Sequence, residues 1–490
     1  MSLLIFSFFI FAEDVLKIAV PNKFTSMKPT ETLTAHNKYI LPLVYDTLVK
    51  FDSDQTLKPS IAKKWTIDPK KKTVTFYLKS NIHFSNGKLL NAHHVKSSLV
   101  KICSDKSTSR IELKAIKDCI SNNEPQIIIV SEHTLKIAFV SHPTVLLYQL
   151  SSPRASIFSL SKGEYKGTGP YQVANSGKKS MELEINKYYH GEKPQNKGII
   201  FIYHSNEFEI MENLKKGKYD ASLVQLGDMI QRDKLPDYNV IEDLPYISQI
   251  LVFNNQNRIL NNKNARLRIQ HYISKNTEDL LKCRKVNNKP ALGIIPKGLG
   301  GSIAHIDSLN EQPLAPPLAV SNEPREEITI HQHLGRKNKC EFKILKKAFH
   351  KAGINLKIKY HETYKTLFPK YLNNTLDGFI ELFNFQNREA YSILRYFVSY
   401  GNKENFANLS DNKLDSMIIN SMESNNLSER FSWYRKANNR IQDEAYAVPL
   451  YYVSTLNIYK KCLSGVNHIP GFNPFPTLKN ISLENCHGKK

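Results

Sequence analysis

Hydrophobic and polar residues alternate along several short stretches of the chain, and each of these stretches predicts a β-strand with one buried face. In the clearest case Val74, Phe76 and Leu78 recur at every second position, a period that is typical of a half-buried strand. The other predicted strands cover residues 15–20, 134–140, 171–173, 181–186, 251–255, 328–330 and 356–360.

Other stretches place hydrophobic residues three and four positions apart, which is the spacing of a helix with one buried face. Val95 and Leu99 follow Asn91, a residue type that caps helix N-termini, and Asn264 precedes a second such pattern. Gly353 is placed to end a further helix, which two predicted strands flank as an α/β unit. The predicted helices begin near residues 35, 92, 143, 265, 340, 414 and 431.

A series of short motifs follows in fixed order along the chain. They are Tyr-Asp-Thr-Leu-Val (45–49), Pro-Ser-Ile-Ala with Trp65 (59–65), Phe-Tyr-Leu (76–78), Phe-Ser-Asn-Gly-Lys-Leu-Leu-Asn-Ala (84–92) and Gly-Thr-Gly-Pro-Tyr (167–171). We expect the glycines of the last motif to supply positive φ in a tight turn and Pro170 to fix the start of the next strand. The ordered set resembles the family 5 extracellular solute-binding proteins, the oligopeptide- and dipeptide-binding receptors of ABC importers, over about residues 15–470.

This resemblance implies a two-lobed α/β periplasmic-binding-protein fold with a hinge and an extra inserted domain, of the large oligopeptide-binding type. Domain I would be discontinuous, and domain II would be inserted in it, with domain III as the C-terminal lobe. The implied ranges are 13–45, 165–252 and 449–490 for domain I, 46–164 for domain II and 253–448 for domain III. A chain of 490 residues is long enough for two or three such lobes.

The resemblance also implies a function and its partners. A peptide-like ligand would be captured between the lobes by their closure and delivered to an ABC permease in the inner membrane. The receptor would be a monomer that needs no cofactor.

Peptide-binding members of the family use a Trp-x-x-Asp pair, in which the Trp forms an aromatic wall and the Asp meets the ligand's ammonium group. Counted forward from Asp377, these two positions fall on Phe383 and Gln386. A glutamine cannot make the charge-assisted hydrogen bond that an ammonium group prefers. The neighbouring Arg388 and Arg395 suit an anionic or capped ligand better, so the resemblance leaves a free peptide N-terminus in doubt.

A shift of two or three residues in this alignment would instead give the anchoring role to Glu381 or Glu389. By position in the family, Tyr246, Phe253 and Asn254 are further candidates for contact with the ligand. The alternative for Arg388 and Glu389 is an exposed surface pair.

The chain carries a formal net charge of +23 and has a pI near 9.5. Such a charge first suggests an anionic partner, either nucleic acid or a membrane surface. The basic residues are spread along the sequence without a dense Lys/Arg run, so we favour a solvated surface and expect no nucleic-acid partner.

Residues 3–12 are mostly apolar and are followed by Glu13 and Asp14. Ten such residues are too few to span a bilayer, but they resemble the core of a secretory signal, here residues 1–12, with cleavage near Ala12. The alternative is a buried first strand. A signal segment predicts export to the periplasm.

Six cysteines suit an oxidising compartment, and none lies in a Cys-x-x-Cys motif. Proximity in sequence favours the pairs Cys103–Cys119 and Cys462–Cys486, which leaves Cys283–Cys340. This is one of fifteen connectivities, and buried free thiols are the alternative.

No pattern in the sequence predicts catalysis or a metal centre. There is no Gly-x-Ser-x-Gly motif, and neither His93-His94 nor His331-Gln332-His333 has a Cys or carboxylate at ligand spacing. We therefore expect a binding protein and no enzyme. The alternatives are the same fold with a cell-wall peptide, metal chelate or sugar as cargo, a polyanion-binding protein, and a secreted hydrolase.

Overall fold

The computed structural model of the protein describes most of the chain, in two compact units. The described residues are 14–21, 24, 26–31, 40–52, 56–104, 113, 115–119, 121, 123–140, 143–204, 207–224, 234–242, 246–283, 288–303, 326–334, 337–362, 364–385, 390–399, 405–424, 426–467 and 475–486. Among them, unit 1 comprises residues 14–224, 234–241 and 457–486, and unit 2 comprises residues 242–456. The predicted signal segment lies outside the described residues.

The elements are strands, in runs of one to five, with helices between the runs. The first part of the chain forms β1 (Val15–Pro21), β2 (Val49–Phe51), β3 (Leu57–Pro59), β4 (Ala62–Asp68), β5 (Thr73–Leu78), α1 (Ala92–Ser104), β6 (Ile127–Ser131), β7 (Thr134–Ala138), α2 (Pro143–Ser151), β8 (Ser159–Ser161), β9 (Glu164–Lys166), β10 (Tyr171–Ser176), β11 (Ser180–Ile185), β12 (Gly198–His204), α3 (Glu207–Lys215), β13 (Ala221–Val224) and β14 (Tyr238–Glu242). The second part forms β15 (Ile247–Phe253), α4 (Lys263–Ser274), α5 (Thr277–Lys282), β16 (Lys289–Pro290), β17 (Glu327–His333), α6 (Lys339–Lys351), β18 (Asn355–His361), α7 (Tyr364–Leu372), β19 (Gly378–Asn384), α8 (Tyr391–Leu394), α9 (Asn412–Glu423), α10 (Leu427–Asp443), β20 (Ala447–Val453) and β21 (Leu456–Lys460).

Unit 1 contains a seven-stranded sheet in the order β10-β11-β12-β1-β13-β21-β14 and a separate four-stranded sheet in the order β4-β5-β7-β6. The predicted alternation in β5 is confirmed, because Val74, Phe76 and Leu78 are all buried. The cap of α1 is confirmed as well, since Asn91 Oδ1 accepts a hydrogen bond from the His94 amide at 3.3 Å. His94 Nδ1 accepts in return from the Asn91 amide at 3.2 Å, so two free N–H groups of the helix start are satisfied.

The Gly-Thr-Gly-Pro-Tyr motif packs against the backbone of the earlier Tyr-Asp-Thr-Leu-Val motif. The expected positive φ is wrong, because neither Gly167 nor Gly169 has it. Instead, a Cβ on Gly169 would lie 2.6 Å from the carbonyl carbon of Val44, and one on Gly167 would collide with the Val44 carbonyl oxygen. Glycine is required here because two segments of backbone touch, and Gly169 N donates to Val44 O at 2.9 Å.

Asp46 joins two of the sequence motifs in unit 1 and also contacts His190. Its Oδ2 accepts a hydrogen bond from Thr168 Oγ1 at 2.8 Å and lies 3.1 Å from His190 Nε2. Burial alone would raise the pKa of Asp46, but the hydrogen bonds and the charges of His190 and nearby Lys50 hold it below its ordinary value. The motifs that carry the family resemblance therefore stabilise the fold of unit 1.

Unit 2 is built on a six-stranded sheet in the order β16-β20-β15-β19-β17-β18, with a hydrophobic core on each face. In β15, Ile250 and Val252 contribute to one core, and Leu251 and Phe253 to the other. This strand is buried on both faces, and its second half, residues 250–253, is a continuous apolar run.

Two helix ends in unit 2 test the predicted boundaries. Gly353 follows α6 with φ of +88°, as its residue type predicts. The cap of α4 is Asn262 and not Asn264, because Asn262 Oδ1 accepts from the amides of Asn264 and Ala265 at 2.9 and 3.4 Å. Of the helix predicted over 35–43, residues 35–39 lie outside the described part of the chain, and 41–43 form a 3₁₀ turn.

The unit boundaries differ from the predicted domain limits at 252/253 and 448/449. β15 pairs with β19 and β20 along its whole length, so both β15 and β20 belong to the sheet of unit 2. The chain therefore changes units before β15 and after β20, at residues 242 and 456. Sequence patterns could not locate this change, because both strands are apolar and fit either core.

Three disulfides form at the pairs that proximity in sequence favours: Cys103–Cys119, Cys283–Cys340 and Cys462–Cys486. The first and third lie in unit 1, and the second links the end of α5 to the start of α6. Among the described helices, none is both long enough and apolar enough to span a membrane.

Candidate functional site

Four strands of the unit 2 sheet end at the same edge. β17 is parallel to β18 and β19, and β15 is antiparallel to both β19 and β20. The carboxyl ends of β17, β18, β19 and β20 therefore lie together with the amino end of β15. Open α/β sheets bind ligands outside the carboxyl ends of their strands, so we take this carboxyl edge as the candidate site.

In the described part of the chain, the segments before β15 and after β20 also lie at the carboxyl edge. Residue 242 precedes β15, and residue 456 follows β20. Tyr246 links the chain segments at this edge. Its hydroxyl lies 3.1 Å from Thr455 Oγ1, and its carbonyl accepts a hydrogen bond from the Phe385 amide at 3.0 Å. Three strand ends are thus linked by one tyrosine.

A row of aromatic rings covers one face of β19 and reaches the carboxyl edge. Phe383 lies 6.0 Å from Tyr396, and Tyr396 stacks on Phe406 at 4.4 Å with an interplanar angle of 9°. Phe379 and Tyr371 continue the row with a stacked pair at 4.1 Å. Because Phe383 is only 6% exposed, this row is a rigid wall that supports the edge.

Arg395 adds a positive charge beside the aromatic row. Its guanidinium lies 4.8 Å from the centre of the Tyr396 ring, and Nη2 donates to the Tyr396 hydroxyl at 2.8 Å. Both residues lie in the 3₁₀ turn Arg395–Phe397 that follows α8, and both are half-buried. A guanidinium fixed on an aromatic face in this way loses little freedom when it meets a carboxylate or phosphate.

A buried pair of histidines lies on the same face of the sheet, on β17, which adjoins β19, and on the edge strand β18. His331 Nδ1 is 2.8 Å from His361 Nε2, and the rings stack at 5.0 Å with an angle of 22°. Burial is the main cause that lowers the pKa of His331 to about 4, and His361, Lys359 and Lys370 lower it further. The negative charge of Asp377 acts in the opposite direction.

The pKa of His361 is also lowered, by burial and then by nearby positive charge. Two neutral imidazoles can share one hydrogen bond, with one ring as donor and the other as acceptor. The pair therefore sits in the sheet in its uncharged form at neutral pH.

The structure separates the residues that the sequence analysis assigned to the ligand site. Tyr246 and Phe383 lie at the carboxyl edge, whereas Phe253 and Asn254 lie at the other end of β15, about 24 Å from Tyr246 at about 3.4 Å per residue. Gln386 follows Phe385 directly in sequence, and it lies outside the described residues, as does Arg388.

Phe253 and Asn254 make contacts that stabilise the fold of unit 2. Phe253 is fully buried in a hydrophobic core. Asn254 Nδ2 donates to the carbonyls of Asn374 and Leu376 at 3.2 and 2.9 Å, and its Oδ1 accepts from the Gln256 amide and Asn408 Nδ2 at 3.0 and 3.1 Å. These four bonds use the full capacity of the amide group, so Asn254 fixes loops at the end of the sheet opposite the site.

The sequence did not indicate that Tyr396 joins the aromatic row, that Thr455 contacts Tyr246 or that His331 pairs with His361. His331 and His361 are thirty residues apart in sequence, and only the parallel pairing of β17 with β18 brings them together. Tyr396 could have been suspected from its place one residue after Arg395. Within the described part of the chain, no group of three His, Cys, Asp or Glu residues is arranged to hold a metal ion.

Two compact units, each with its own mixed sheet, have the fold of the periplasmic binding proteins. DppA from Helicobacter pylori, solved with the peptide STSA, superposes with a TM-score of 0.77 at 19% identity, over 96% of this chain and 99% of that one. NikA from Brucella suis, solved with Fe(III)-EDTA, gives a TM-score of 0.74 at 17% identity over 95% and 99% of the two chains.

The family model named "Bacterial extracellular solute-binding proteins, family 5 Middle" matches residues 56–302, just over half of the chain. This protein belongs to family 5 of the bacterial extracellular solute-binding proteins. A curated relative, the nickel-binding periplasmic protein of Escherichia coli, is 26% identical over 211 residues. That alignment covers 39% of this chain and 39% of the relative's own length.

Proposed function

We propose that the chain is the substrate-binding component of an ABC importer. It captures a peptide-like ligand by closure of its two lobes and passes it to a permease in the inner membrane. The observation that supports this most is the extent of the likeness, because 96% of the chain aligns with a binding protein solved with a bound peptide. We also propose that it acts as a periplasmic monomer, that it has no catalytic role and that residues 1–12 are its export signal.

In this proposal the carboxyl edge of unit 2 supplies one wall of the ligand site. Tyr246 and Phe383 give it a rigid aromatic base, and Arg395 gives it a fixed positive charge. Gln386 and Arg388 complete the set. Two guanidinium groups and no carboxylate at the anchoring position favour a ligand with a carboxylate or another anionic group.

A metal chelate is the second candidate cargo. A curated relative is named as nickel-binding, and one of the similar structures was solved with Fe(III)-EDTA. An anionic chelate would suit Arg388 and Arg395 for the same electrostatic reason as a peptide carboxylate.

Native mass spectrometry of the full chain, purified from its own compartment, separates these candidates. We expect a group of bound masses that match short peptides and are released on denaturation. A single metal-containing mass would replace peptide by chelate as the cargo. An empty protein that gives no thermal shift with peptides or with nickel–histidine would contradict the proposal.

A matched pair of variants tests the site itself. Arg395→Gln should weaken ligand binding at least about tenfold, as expected when a charge-assisted hydrogen bond is lost. Arg258→Gln changes the same residue type at an exposed position beyond the far end of β15 and should leave binding unchanged. Equal affinities of the two variants would remove Arg395 from the site without contradicting the function.

A further inference from the structure

Helix α6 has one buried face and one strongly basic face. Leu345, Ala348 and Phe349 are buried in a hydrophobic core of unit 2. The opposite face carries five exposed lysines, which we call the lysine face: Lys339, Lys343, Lys346, Lys347 and Lys351. At 100° per residue these side chains fall within an arc of about 140° and extend over about 18 Å of helix.

The positive charge of this region is largely unbalanced. Residues 337–359 contain eight lysines and one glutamate, a net charge of +7, and that glutamate, Glu341, is buried. Among the described residues, none of the first four lysines of the lysine face forms a salt bridge.

Three pairs of these lysines lie four residues apart, a spacing at which like charges destabilise a helix. The lysines are already frequent in this part of the sequence, and the helix brings five of them onto one face. A row of cations that weakens its own helix points to an anionic partner.

We propose that the lysine face binds the surface of a membrane that contains anionic phospholipid. The five ammonium groups lie along one side of a straight, well-anchored helix, which suits a flat surface of phosphate headgroups. The apolar face of α6 is already buried in unit 2, so the contact would be electrostatic, without insertion into the bilayer.

His350 is the one aromatic side chain among the exposed residues of α6, which include no Phe, Tyr or Trp on which a base could stack, and this makes single-stranded nucleic acid a poorer fit. Binding of this kind would concentrate the receptor at the membrane, whatever ligand it carries.

Co-sedimentation of the full chain with phosphatidylcholine vesicles, with and without phosphatidylglycerol, tests the proposal. We expect binding only to vesicles that contain phosphatidylglycerol, and loss of binding as the salt concentration rises. The variant Lys343→Glu/Lys347→Glu should bind these vesicles at least about tenfold more weakly. The neutral variant Lys343→Gln/Lys347→Gln should show a smaller loss, and circular dichroism checks that both are folded.

The matched control is Lys413→Glu/Lys436→Glu, which makes the same change in net charge at two exposed lysines of α9 and α10. The control should keep its vesicle binding within about twofold. An equal loss in the control would mean that bulk charge alone drives binding, and this would overturn the proposal. Failure to bind anionic vesicles at low salt would overturn it too. The same holds if the wild type bound nucleic acid but no vesicles, and Lys343→Glu/Lys347→Glu abolished that binding.

Discussion

The buried histidine pair predicts that unit 2 becomes less stable as the pH falls. His331 is 9% exposed and has a pKa lowered from 6.5 to about 4. Between these two values the unfolded chain takes up a proton and the folded chain does not, so folding loses free energy as the pH falls. At about 1.4 kcal/mol per pKa unit, the loss is about 3 kcal/mol, and it is complete near pH 4.

The perturbation is the double variant His331→Asn/His361→Asn, which removes both titrating rings and leaves two polar side chains. A chain of two units need not unfold in one step, so the measurement is local. Hydrogen exchange followed by mass spectrometry on peptides from β17 and β18, corrected for intrinsic rates, gives the free energy of opening at each pH.

The wild type should lose about 2 to 3 kcal/mol more than the double variant between pH 7 and pH 4.5. His350→Asn, at an exposed position near the end of α6, serves as control and should keep the wild-type pH dependence. If the wild type and the double variant lost stability in parallel, the pair would not be the neutral, buried unit inferred here.

Three further predictions concern stability. Cys283→Ser/Cys340→Ser should lower the free energy of unfolding by about 4 kcal/mol according to the loop-closure relation. This is more than the loss of either other disulfide should cost, because Cys283 and Cys340 are 57 residues apart. If thermal unfolding showed the smallest destabilisation for this variant, the prediction would be contradicted. Gly169→Ala should lower the free energy of unfolding by about 1–3 kcal/mol through overpacking against backbone. Gly177→Ala should change that free energy little, because its new Cβ would lie 3.6 Å from the Ser180 carbonyl oxygen, an ordinary contact. Asp46→Ala should cost about 2 kcal/mol at pH 7, and because its folded pKa is lowered, the difference should shrink as acid protonates the wild-type carboxylate.

Much of the local structure could be predicted from the sequence, because it depends on neighbours along the chain. The strand over Val74, Phe76 and Leu78 and the cap at Asn91 both follow from side-chain spacing and local hydrogen bonding. The family could be recognised for a related reason. Its motifs, such as Gly-Thr-Gly-Pro-Tyr, are constrained by close packing, even though the reason that the sequence suggested for Gly167 and Gly169 was wrong.

Tertiary structure alone decided which residues share a site. Tyr246 directly precedes β15 and Phe253 ends it, so the length of that strand places them at opposite edges of the sheet. His331 and His361 come together only through parallel pairing, and the lysines of α6 form one surface only because the helix turns by 100° per residue. Contacts between residues distant in sequence depend on how strands are ordered, and no local pattern of hydrophobic and polar residues encodes that order.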